Sequence, residues 1–235
     1  VSGDIGSQPV NVGDNSFTIN VTAEDGSAQD YTITVYVPAN DATLSSLTID
    51  GTSVTDFSPV TTDYSESLPA ETASVSIAAT ATDPAATVSG DIGSQPVNVG
   101  DNSFTVTVSA EDGSAQDYTI TVYVPSGDAT LTEITIDGVA VPDFDPTTTE
   151  YTVTLDAYTE QVSVQAVTAD DGASITTGTG TVSVAVGANQ LEIAVEAEDG
   201  STEVYGIQVN VPAQPVGDVT VGITLDAPGD VDISF

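Results

Sequence analysis

A chain of 235 residues with 36 acidic side chains and no Lys, Arg or His carries a formal charge of −36, so phosphate backbones and anionic lipid would repel it, with no counterion release in compensation. Because Cys is absent too, the groups that usually shuttle protons, attack carbonyls or hold developing anions are missing, as are disulfides and the usual zinc ligands. Nucleic-acid binding, membrane insertion of this segment and enzyme activity are set aside. The residual chemistry is a carboxylate pair needing a shaped cleft, or a hard cation such as calcium.

In chain order, the first 38 residues alternate apolar and polar positions at Phe17, Ile19, Val21 and at Tyr31, Ile33, Val35, the period of a half-buried strand. Between the two runs stands "AEDGSAQ", whose Gly26 supplies the positive φ of a tight reversal, and Pro38, unable to donate to a ladder, ends the pattern. Residues 41–124 then read as seven strands over 43–50, 62–68, 73–81, 86–90, 95–99, 103–110 and 116–124, joined by turns rich in Asp, Gly, Pro and Asn. Their alternation predicts an interior of Leu44, Leu47, Ile49, Val75, Ile77, Phe104, Val106, Tyr118, Ile120 and Val122.

The passage "AEDGSAQDYTITVYVP" at 23–38 recurs letter for letter at 110–125, and "AEDGSTEVYGIQVNVP" follows at 197–212. A shift of 87 residues superposes Glu24, Glu111 and Glu198, then Tyr31, Tyr118 and Tyr205, and also Leu44 with Leu131, Phe57 with Phe144 and Tyr64 with Tyr151. A period of that length is a whole domain, longer than a solenoid unit. The expected division is 1–39 as the second half of a repeat, 40–126 and 127–213 as complete repeats, and 214–235 as the start of a different β segment alternating at Val219, Val221, Ile223 and Leu225. No apolar run approaches the ~18 residues of a spanning helix, there is no signal peptide, and the chain opens in mid-pattern, as a window on something longer.

Seven short strands per unit with no helical period give the fold class: all-β, tandem seven-stranded Ig-like or cadherin-like β-sandwiches in a head-to-tail string. The series "LSSLTIDG", "FSPVTTDY" and "VGDNSFTVTVSAEDGSAQDYTITV" resembles the cadherin-like β-sandwich domain found in tandem on bacterial surface proteins. Its matching set in the third unit is Leu131, Ile134, Gly138, Phe144, Pro146, Tyr151, Gly187, Asn189, Glu198, Asp199, Gly200 and Tyr205. The resemblance implies a spacer or binding module. One departure is that family members commonly carry Lys or Arg where this chain has Gln29, Gln116 and Glu203.

Counting strand reversals places Asp128, Glu160, Glu198 and Asp199 at the upstream pole of the third unit, and Asp50, Asp83 and Asp101 at the downstream pole of the second. Together with Asp41, Glu111 and Asp112 they form a candidate interdomain calcium set, because calcium takes 6–8 oxygens. The competing reading is that turns favour Asp for local hydrogen bonds. It gains from the absence of a spaced D-x-D-x-D-G loop.

Three smaller features have plain readings. Asn20 opens an N-x-T sequon, but Thr107 replaces it one period on. Glu66 stands where the sibling unit has Val153, as an edge carboxylate turned to water would. Tyr36 and Tyr123 point outward, available for a cross-strand pair, a sugar or a partner.

These features lead to an extracellular structural segment at the cell surface, an adhesin-like stalk or fibre that projects or links. Its partners would be neighbouring repeats or identical subunits, and surface glycans or other cells. A filament subunit completed by strand donation and a carbohydrate-binding accessory module are the alternatives, the last weakened by five Phe, eight Tyr and no Trp.

Overall fold

A computed structural model describes residues 1–215, 217, 222–227 and 230–234. It is all-β among these residues and divides into two compact units, Val1–Pro125 and Ser126–Phe235.

In the first unit, β1 (Ser2–Gly3), β2 (Gly13–Thr22) and β3 (Ala28–Val37) form a three-stranded antiparallel sheet in that order. The same unit holds β4 (Leu44–Ile49), β5 (Thr52–Ser53), β6 (Asp63–Ser67), β7 (Ser74–Ala81), β8 (Thr87–Gly90), β9 (Gly93–Pro96), β10 (Gly100–Ser109) and β11 (Ala115–Val124). These eight make two four-stranded sheets, β6-β11-β10-β8 and β5-β4-β7-β9. Their inner faces meet in one core in which Leu44, Leu47, Val106, Tyr118, Ile120 and Val122 are fully buried. All ten expected interior residues are buried. The strands match the expected seven closely, with a two-residue β5 added and the strand expected at 95–99 formed at 93–96.

The second unit repeats this plan with β12 (Leu131–Ile136), β13 (Val139–Ala140), β14 (Glu150–Thr154), β15 (Gln161–Thr168), β16 (Ser174–Thr177), β17 (Gly180–Ser183), β18 (Gly187–Glu196) and β19 (Thr202–Val211). Its sheets are β13-β12-β15-β17 and β14-β19-β18-β16, around a core containing Leu131, Ile134, Ile193, Tyr205 and Ile207. The tail adds a hairpin of β20 (Gly222–Ala227) and β21 (Asp230–Ser234). Of its expected alternating residues, Ile223 and Leu225 fall on β20, while Val219 and Val221 lie outside the described residues.

Two features recur in both sandwiches. The first is a buried Tyr. Tyr118 donates from Oη to Pro59 O at 2.7 Å and accepts from Leu44 N–H at 3.1 Å; Tyr205 does the same with Pro146 O (2.8 Å) and Leu131 N–H (3.2 Å). A buried hydroxyl without partners would oppose folding, and here it ties the last strand to the first. The second is a close backbone approach: Gly90 sits at φ +96° with the space for its Cβ 2.3 Å from Thr105 O, so only glycine fits.

The register also corrects the count of reversals. β6 runs parallel to β11 (Ile120↔Tyr64) and β10 antiparallel to it, while β4 is antiparallel to β7 with Leu44 opposite Ala81. The two-residue β5 and the crossover after it return the chain across the sandwich, so β4 and β6 point the same way. Every later turn before β8 therefore lies at the pole opposite to the one expected from simple alternation.

Candidate functional site

The upstream pole of each sandwich is where the chain enters and where the "AEDGS" hairpin reaches back to meet it. Each hairpin closes on itself first: Ala110 N–H donates to Ser114 O at 2.9 Å, and Gly113 N–H to Ala110 O at 3.1 Å. Asp112 Oδ1 accepts from the amide (2.8 Å) and hydroxyl (2.6 Å) of Ser114. Asp199 does the same for Ser201, and Asp41 and Asp128 likewise cap Thr43 and Thr130. Hydrogen bonds to the charged form, from hydroxyl first and then amide, hold all four carboxyls below their usual range.

The incoming segment is seated on this hairpin. In the first unit, Asp112 N–H donates to Ala39 O at 3.0 Å, Ser114 Oγ to Asn40 O at 3.3 Å, and Ala39 N–H to Glu111 Oε2 at 3.2 Å. In the second, Asp199 N–H donates to Ser126 O at 3.1 Å, Ser201 Oγ to Gly127 O at 3.2 Å, and Ser126 N–H to Glu198 Oε2 at 3.0 Å. Three bonds recur at the same period although "PAN" has become "PSG". The pattern uses backbone atoms on the incoming side, so it tolerates that change.

Within the first unit the seat reaches back to the three-stranded sheet. Tyr36 Oη lies 2.6 Å from both Oε1 and Oε2 of Glu111. The phenol bond and then the Ala39 amide lower the Glu111 pKa, and the same carboxylate raises that of Tyr36, with partial desolvation adding to the rise. Tyr36 does project outward, as its alternation implies. Its partner lies 75 residues away, beyond what strand periodicity can reveal.

The remaining acidic candidates are dispersed. Asp50, at φ 49°, accepts from Ser76 N–H at 2.8 Å at the downstream pole, where Asp101 is also exposed, opposite Tyr123 in the ladder. Asp83 is not there. It follows Thr82, whose N–H donates to Thr43 O at 2.8 Å, so it stands at the upstream pole and accepts from Ala85 N–H. Glu160 is misplaced for the same reason: its carbonyl accepts from Val184 N–H beside the first residue of β15, at the downstream pole. Both corrections follow from β4 and β6, or β12 and β14, running in one direction.

Calcium fits these residues poorly. Asp41, Asp112, Asp128 and Asp199 are each turned onto a local hydroxyl and amide, and Glu111 onto Tyr36 and Ala39. Among the described residues no three acidic side chains gather as a metal site. Glu66 is also engaged, accepting from Thr55 N–H, and Asn20 donates to Asp30 Oδ1 at 2.7 Å.

The family profile described as "Cadherin-like beta sandwich domain" matches residues 1–38, 44–125 and 130–212. The chain belongs to the cadherin-like β-sandwich family. A curated relative of this cadherin-like chain, the exo-beta-1,6-galactobiohydrolase of Bifidobacterium longum subsp. longum, is 36% identical over 143 residues, which is 60% of this chain but only 9% of that protein's length. Two solved structures are similar at low level. Protocadherin gamma B2 extracellular cadherin domains 3–6 are 12% identical with a TM-score of 0.41, covering 86% of this chain and 59% of that one. The human desmocollin-1 ectodomain is 12% identical with a TM-score of 0.29, covering 91% and 50%. Similarities of that size carry no functional weight.

Proposed function

We propose that this cadherin-like chain is a non-catalytic structural segment of a large extracellular repeat protein, an adhesin-like stalk or surface fibre that projects or links at the cell surface. On this reading residues 40–126 and 127–213 are complete repeats, 1–39 is the second half of another, and 214–235 begins a different β segment. The observation that carries it is the seated linker: the same three hydrogen bonds join incoming segment and hairpin at Ala39–Asn40 and again at Ser126–Gly127. A recurring seat made from backbone atoms suits a chain whose work is to hold spacing under load, and no described helix is long and apolar enough to cross a membrane. The partners are then adjacent repeats, and calcium is not needed to hold the seat.

Pulling on the chain by atomic force microscopy tests this reading. Two complete sandwiches should give two unfolding steps of equal contour length, unchanged by a chelator. Steps that vanish without calcium would refute it.

A second reading is an accessory module carried by a surface glycoside hydrolase. It is favoured by the match to 143 residues of the galactobiohydrolase. Calorimetric titration with β-1,6-galacto-oligosaccharides separates the two: saturable heat would establish the accessory module, and no heat would leave the structural segment.

A further inference from the structure

The two complete repeats part company along one edge. In each sandwich a groove opens where the two-residue strand of one sheet stands apart from the parallel edge strand of the other: about 220 Å³ between β5 and β6, and about 240 Å³ between β13 and β14. At the 87-residue shift Ile49 and Leu68 of this groove are retained as Ile136 and Leu155, but Thr52, Ser53, Thr55 and Glu66 become Val139, Ala140, Pro142 and Val153. Four polar positions turn apolar together. Val139 is left 70% exposed.

Glu66 shows what the change does. Among the described residues β6 and β14 each end their sheet. On β14, Thr149 O and Leu155 N–H bond to β19, so by alternation the amides and carbonyls of Thr152 and Thr154 face the open side. An unpaired strand edge invites another strand, and a charged side chain pointing inward from the edge guards against it. Glu66 is such a side chain: rather than turning to water, its carboxylate lines the groove and accepts from Thr55 N–H. The later repeat has no such guard. Val153 packs against the core, and Pro142 has no N–H to be left without the carboxylate, so the two replacements match.

We propose that the open edge of β14, with the apolar groove beside it, is a docking site for an extended segment of another protein, with aliphatic residues at alternate positions and a basic residue at each end, which adds to β14 as a further strand. The chemistry of the occupant follows from the rim. Glu150, Thr152 and Thr154 alternate along the exposed face of β14, and Asp156 continues the series past the strand end. Asp137 and Asp156 both line the groove. Carboxylates six residues apart, about 20 Å along a strand, call for two bases at the same spacing with neutral residues between them, and Val153 and Leu155 call for aliphatic side chains at the alternate positions. A second copy of this chain meets the first need nowhere: it holds no base, and β14 laid on β14 would set acid beside acid. Neither a stalk nor an accessory module requires this edge, so the site stands or falls separately from both.

The test is to titrate the full chain with the synthetic peptide "KVTVTVK" and follow amide exchange residue by residue. The expected result is one peptide per chain, new protection at Thr152 and Thr154 with none at Ser65 and Ser67, and weaker binding as salt rises. The peptide "EVTVTVE" should not bind. Val153→Glu should abolish binding. Because that change also sets a charge against the core, the converse variant is made in the other repeat: Thr55→Pro with Glu66→Val should raise the stoichiometry to two peptides per chain. No protection at excess peptide, equal binding of the acidic peptide, protection that survives Val153→Glu, a stoichiometry that stays at one in the double variant, or the same protection arising without peptide as the chain is concentrated would each overturn the proposal, the last by assigning the edge to a second copy.

Discussion

The phenol of Tyr36 donates to the carboxylate of Glu111, with Oη 2.6 Å from both carboxylate oxygens, and so fastens the outer face of one hairpin to the turn of the next. The contact is exposed, and its strength comes from the charge on the acceptor. Its sensitivity to pH follows from both partners. Glu111 has a folded pKa below its ordinary 4.5, so its contribution is complete above that value and fades as pH falls through the lowered one. Tyr36 has a folded pKa above its ordinary 10.0, so its contribution is complete below that value and fades as pH rises through the raised one. NMR titration should show Glu111 titrating below its ordinary value, with the shift reduced in Tyr36→Phe. A Glu111 titration unchanged by Tyr36→Phe would contradict the contact.

Tyr205→Phe should lower stability by about 1–3 kcal/mol, because Leu131 N–H and Pro146 O would both lose a buried partner. Tyr31→Phe, at the same sequence position of the first hairpin, should leave the melting of both complete sandwiches unchanged. Urea unfolding checks the pair, and equal effects would show that the hydroxyl is not what ties the sandwich.

The duplicated isoleucines offer a comparison inside one chain. Ile120→Ala should cost about 2–5 kcal/mol, the range for emptying a packed core site, because Ile120 is fully buried. Ile33→Ala should cost almost nothing in either complete core. Denaturant midpoints decide it, and a large loss from Ile33→Ala would mean the first hairpin is packed.

Glycines separate strain from collision. Gly113 has φ +88° with nothing near its Cβ position, so Gly113→Ala should cost about 1–2 kcal/mol for the left-handed backbone alone. Gly90→Ala adds a Cβ at 2.3 Å from Thr105 O, and should be the more destabilising by thermal melting. The reverse order would contradict the close approach.

Much of this was legible in the sequence. Alternation at Phe104, Val106 and Val108 and at Tyr118, Ile120 and Val122 gave the strands and the buried face, because a half-exposed sheet imposes a period of two. The Asp83 and Glu160 positions were not legible. Whether β4 and β6 run the same or opposite ways is decided by a two-residue strand and a crossover with little periodicity. Nor was the seat of the linker, whose atoms at Ala39 and Ser126 are backbone and leave no side-chain signature. The acidic turns were visible as acidic, but only hydrogen-bond geometry shows that Asp112 and Asp199 are occupied by Ser114 and Ser201.

Metal dependence and salt dependence should part company. With 36 acids and no bases, screening of like charges should raise the melting temperature as ionic strength rises. Calcium chloride and sodium chloride at matched ionic strength should act alike, and a specific rise with calcium, reversed by a chelator, would restore the interdomain calcium set.

The most direct measurement of the central claim is immunogold electron microscopy of intact cells, with antibodies raised against residues 40–212. A structural segment of an extracellular repeat protein should place gold outside the envelope, set off from it, on unpermeabilised cells and equally after chelation. Gold confined to permeabilised cells would contradict the account.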